Sequence, residues 1–131
     1  MNYWMTKQIA AKGLLAILSS IIVFHLLVIT GVIPYQIVWG GRLQNVNQML
    51  KFEAVSLLLN LVMVTWVARS LGRIQLKVNE NVLRIGFWIM FLLFLLNTVG
   101  NLLSNNGLEK IIFTPLTALL ALFSFRLAIK S

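Results

Sequence analysis

The residues in this chain that could do chemistry are few, and nearly all of them interrupt apolar runs: Glu53 and Glu109, a lone His25, Arg42, the amides Asn60, Asn97 and Asn101, and Thr114. A carboxylate drawn out of water can act as a general base, and a guanidinium presents a planar fork to phosphate or carboxylate. Amides and hydroxyls inside a membrane offer the neutral donors and acceptors that recognise a polar head. Their spacing groups them. Glu53, Ser56 and Asn60 follow i, i+3, i+7, and Asn97, Asn101 and Ser104 follow i, i+4, i+7, so each set forms one stripe down a helix. Thr114, Thr117 and Ala121 make a third, weaker stripe, and Pro115 within it cannot donate to the carbonyl of Ile111.

Each group also has a purely structural reading. Membrane helices use Asn, Ser and Thr to tie neighbours together, at an average of ~0.6 kcal/mol per hydrogen bond. His25 can be a structural hydrogen-bonder or a proton carrier. Glu53 and Glu109 can be solvated, or paired with a nearby Arg or Lys, and never catalyse. An unpaired amide in hydrocarbon costs several kcal/mol. On either reading the stripes should therefore face one another or a hydrated pocket rather than lipid.

The elements that must position these groups are transmembrane helices. Across 131 residues the hydrophobic fraction is 60%, the charged fraction 11% and the mean hydropathy +0.91, whereas soluble domains carry ~25% charged residues. Apolar runs long enough to cross a ~30 Å core lie at about 13–33, 52–68, 85–103 and 108–129 of a single domain. The first is too long for a cleavable signal sequence and reads as an uncleaved span that Pro34 ends. Tyr35 and Trp39 suit the membrane interface, and Gly40-Gly41 suits a sharp turn before Arg42. Leu43, Val46 and Leu50 recur at helical spacing among polar residues, which predicts a short interfacial helix between the first two spans. Asn79-Glu80-Asn81 reads as a turn, and Gly107 as a terminator of the third span. The fold class expected is all-α, an antiparallel four-helix transmembrane bundle.

Orientation follows from charge. Lys7, Lys12, Arg69, Arg73, Lys77, Arg84, Arg126 and Lys130 fall on one side, and Arg42, Lys51 and Lys110 on the other. The positive-inside rule then places both termini in the cytoplasm. The net charge of +8 is thereby explained by topology; no basic face interleaved with aromatics indicates nucleic acid. In this frame His25, Asn60 and Asn97 are expected at one level of the outer leaflet, with His25 about 12 Å deep at ~1.5 Å per residue. Arg42, Glu53 and Glu109 would ring the mouth of an outward-facing pocket whose wall is Asn60, Asn97, Asn101 and Thr114.

Some chemistries lack their residues. With no cysteine, thiol relays and cysteine-ligated metals are excluded. One histidine cannot supply a bis-histidine haem, no ligand cluster suits a metal, and no phosphate loop or nucleophile elbow occurs. No cofactor is expected.

The patterns Ile33-Pro34-Tyr35, Val38-Trp39-Gly40-Gly41-Arg42, Asn97-Thr98-Val99-Gly100-Asn101 and Glu109-Lys110 with Thr114-Pro115 resemble a group of small bacterial four-span integral membrane proteins. The resemblance implies the fold and a bacterial inner-membrane location, and it implies no function. The leading expectation is a non-enzymatic protein whose outer pocket binds a small amphiphile or lipid headgroup, with membrane lipids as partners. Transport would require a homodimer, and the first helix, with Ala16-x-x-x-Ser20, is its candidate interface. The alternatives are an enzyme acting on a lipid-like substrate, with Glu53 or Glu109 as base and Arg42 as anion holder, and an accessory subunit without a ligand site.

Overall fold

The computed structural model describes residues 5–35, 43–104 and 107–129, without the side chains of 108 and 109. These residues form four α-helices and no strand: α1 Lys7–Ile29, α2 Val46–Ser70, α3 Glu80–Leu102 and α4 Gly107–Ala128. All four are long and apolar enough to cross a membrane. The longest, at 25 residues, extends about 37 Å at ~1.5 Å per residue, more than the ~30 Å of hydrocarbon.

The ends of the helices are set by residues with a local reason to be there. Thr6, Asn45 and Asn79 are N-caps, each accepting from a backbone N–H three residues on, at 3.2, 2.9 and 2.8 Å. Asn79 therefore starts α3 rather than making a turn. Gly31 (φ 86°) and Gly72 (φ 74°) take the left-handed conformation just after α1 and α2, where other residues would be strained. Gly31, not Pro34, accompanies the end of α1. Gly107 opens α4 and does not terminate α3, which ends at Leu102. The stretch expected as an interfacial helix is continuous with α2 where it is described: Val46–Lys51 are its first residues, and residues 36–42 lie outside the described ones.

Packing is uneven. α3 and α4 share the largest interface, α1 packs against both α2 and α4, and α2 barely meets α3. Helical periodicity accounts for the buried faces. On α1 these are Ala10, Leu14, Leu18 and Val28; on α3, Leu83, Phe87, Met90 and Phe94; on α4, Thr117, Leu120, Ser124 and Leu127. Most of these apolar residues form one core with Val67 of α2. A smaller cluster at the other end joins Val28 to Leu43 and Met49. The outward faces are apolar too, with Leu58 of α2 and Leu96 of α3 exposed, as lipid-facing surfaces require.

Where α2 does touch α3, the approach is very close. Trp66 donates its indole N–H to the carbonyl of Leu83 at 2.9 Å. Its ring lies so near Gly86 that a Cβ there would sit 2.1 Å from the indole nitrogen. The absence of a side chain at Gly86 is what lets the ring lie there.

Candidate functional site

At one end of the bundle, cationic side chains from three helices converge on a cleft of about 340 Å³. Lys7 comes from the first residue of α1, Arg69 from the last turn of α2 and Arg84 from the first turns of α3. Gln8, Ser70 and Glu80 complete the polar lining, and Ala11, Leu83, Phe87 and Leu127 form the apolar part. The local sequence explains how each cation is held. Arg69 donates through Nε to the carbonyl of Leu76 at 2.9 Å and through Nη2 to that of Val78 at 3.2 Å, bracing the connection between α2 and α3. Its Nη2 also lies 3.8 Å from the exposed carboxylate of Glu80. Arg84 donates to Asn81 Oδ1 one turn earlier, at 2.5 Å. At the same end, the buried Arg126 of α4 donates through Nε to the carbonyl of Met5 at 2.5 Å. In the sequence these cations have a sufficient explanation in topology. The signal for a second role is that Arg69 and Arg84 stand within a turn or so of helix ends, where their side chains can turn inward.

The second polar locus lies at the other end of α1 and α2. Glu53, expected at a solvated pocket mouth, is completely buried, and its Oε2 meets Nδ1 of His25 on α1. A carboxylate in such a place requires a partner, and the single imidazole supplies one. His25 is thus level with Glu53. Asn60 lies two turns away along α2, about 10 Å at ~1.5 Å per residue, and it is buried with its amide donating to the carbonyl of Ser56 at 2.7 Å. The expected meeting of His25, Asn60 and Asn97 at one level does not occur. Asn97 is exposed on α3.

The third locus is the α3–α4 seam. Thr117 accepts from Thr98 at 2.9 Å and from Asn101 at 3.3 Å, and donates to the carbonyl of Phe113 at 2.8 Å. Asn101 and the Thr117 stripe therefore do face each other, as hydrogen-bonding ties between helices. Beside them the hydroxyl of Thr114 is buried and has no hydrogen-bond partner among the described residues. Arg42 lies outside the described residues, as does the side chain of Glu109. Among the described residues no group of three or more His, Asp or Glu could hold a metal ion. A second groove, of about 310 Å³, is almost wholly apolar and runs between α1 and α4 past Ala16, Ser20, Phe24 and Phe113.

No protein-family model, curated protein or solved structure matches this chain.

Proposed function

We propose that this is a bacterial inner-membrane protein, an antiparallel four-helix bundle with both termini in the cytoplasm, and that it binds a small amphiphile or lipid headgroup. The observation that carries the reading is the convergence of Lys7, Arg69 and Arg84 on one cleft. Three cations at the ends of three apolar helices attract an anion at headgroup level, and basic pockets between spans are a recognised way of holding lipid heads. All three belong to the more basic side, so the positive-inside rule puts the cleft on the cytoplasmic face. The binding site thereby moves from the outer leaflet, where the sequence suggested it, to the inner one.

A second reading keeps an outer polar site. It is favoured by the Thr114 hydroxyl next to Asn101 and Thr117, which has no partner among the described residues, since a buried hydroxyl without a partner calls for a water or a ligand atom. A homodimer through α1 fits the exposed Ala16 and Ser20 beside the apolar groove.

Native mass spectrometry of the full chain released from detergent micelles tests the proposal. It should detect an amphiphile bound to the protein, reduced in Arg84→Gln and unchanged in Asn101→Ala. A protein that emerges bare under gentle release would contradict it. Loss on Asn101→Ala alone would favour the outer site.

A further inference from the structure

Resting on that reading, we infer that the cleft is built for a glycerophospholipid: the phosphate lies between Lys7 and Arg84, and Glu80 accepts from a hydroxyl or ammonium group beyond it. Arg69 is the least available of the three cations. Two of its donors already hold the carbonyls of Leu76 and Val78, and the carboxylate of Glu80 lies 3.8 Å away. Among the described residues the Lys7 ammonium makes no hydrogen bond, and the Arg84 side chain is tied only to the neutral Asn81. These two cations, from α1 and α3, are therefore the ones left to hold an anion. A phosphate takes charge-assisted hydrogen bonds from both types of cation.

The cleft says more about the ligand than its charge. A volume of about 340 Å³ lies at the lower end for a small-molecule site; it exceeds the needs of a carboxylate and is too small for a whole lipid. The acyl chains must leave it. Leu83 and Phe87, 4% and 1% exposed, close the floor of the cleft as part of the core, so the apolar part of the ligand leaves over the exposed side chains that neighbour the cations in sequence, Ile9 on α1 and Ile85 on α3. A soluble phosphate would leave that surface unused. Glu80 is 78% exposed and stands at the rim, where the terminal part of a headgroup would reach it. An acceptor there distinguishes headgroups that can donate from those that cannot.

The test is lipid retention by the full chain from nanodiscs of defined composition, read by native mass spectrometry. Phosphatidylglycerol and phosphatidylethanolamine should be retained over phosphatidylcholine, whose headgroup cannot donate, and diacylglycerol should not be retained. Lys7→Gln and Arg84→Gln should each lower phosphatidylglycerol retention about fivefold, the effect of ~1 kcal/mol per basic residue. Lys51→Gln and Lys110→Gln, on the less basic side, should leave it unchanged. Glu80→Ala, which leaves no side-chain acceptor at the rim, should erase the advantage over phosphatidylcholine. Retention of diacylglycerol equal to that of phosphatidylglycerol would overturn the inference and leave amphiphile binding standing. Displacement of the lipid by millimolar inorganic phosphate would overturn the lipid assignment in favour of a soluble anion. Retention of no lipid at all would remove both the inference and the reading beneath it. The comparison of lipid classes uses the unaltered chain, so it decides even if a variant misfolds.

Discussion

Nδ1 of His25 on α1 and Oε2 of Glu53 on α2 meet inside the bundle, the carboxylate fully buried and the imidazole nearly so. This ties two helices through a pair that hydrocarbon would not tolerate singly. Removing one member of a buried pair costs ~3–5 kcal/mol because the other is left behind, whereas replacing both by apolar groups is often neutral. His25→Leu should therefore lower the melting temperature in detergent sharply, and adding Glu53→Leu should restore much of the loss. Additive losses in the double variant would mean that the two side chains do not depend on each other.

The contact between Trp66 and Gly86 makes a separate prediction about packing. A methyl group at position 86 would meet the indole at well under van der Waals distance, and overpacking of this kind costs ~1–3 kcal/mol. Gly86→Ala should destabilise the protein by that amount, and Trp66→Leu should rescue it by clearing the space. Gly100, with nothing within 4 Å of where its Cβ would be, provides the control: Gly100→Ala should cost nothing. Equal effects at the two glycines would show that the ring does not lie against α3.

Asn97 and Thr117 test how far the amides serve as ties between helices. Thr117→Val removes the acceptor of both Thr98 and Asn101 and should cost about 1 kcal/mol, at ~0.6 kcal/mol per bond. Asn97→Ala, on an exposed face, should leave the melting temperature unchanged. A larger loss at Asn97 than at Thr117 would mean that Asn97 has a partner not found within one chain.

The four spans were legible because a membrane helix declares itself by composition over some 20 residues, which needs no knowledge of its neighbours. The face of α2 that turns inward was legible too, since Glu53 and Asn60 share a stripe and both are buried. The partner of Glu53 was not. Helical phase fixes which residues share a face but not how two helices are rotated against each other, and on α1 nearly every residue is apolar, so the stripe Leu14, Leu18, His25 does not stand out. The basic cleft was missed for a different reason. Each of its cations already had a sufficient explanation in topology, and only the folded chain shows three of them arriving at one place.

Orientation can be checked cleanly because the chain contains no cysteine. Gln75→Cys, in the connection after α2, should react in intact spheroplasts only with a membrane-permeant maleimide. Gln44→Cys, just before α2, should react with an impermeant one. The reverse pattern would place the cleft on the outer face and contradict the assignment of its side.

The most direct measurement is the distance between lipid phosphorus and side-chain nitrogen, by solid-state NMR dephasing of 15N-labelled Arg and Lys in phosphatidylglycerol bilayers. The account predicts strong dephasing of one guanidinium and one ammonium signal, lost in Arg84→Gln and Lys7→Gln respectively. Dephasing that survives both substitutions, or that disappears instead with Lys51→Gln or Lys110→Gln, would contradict it.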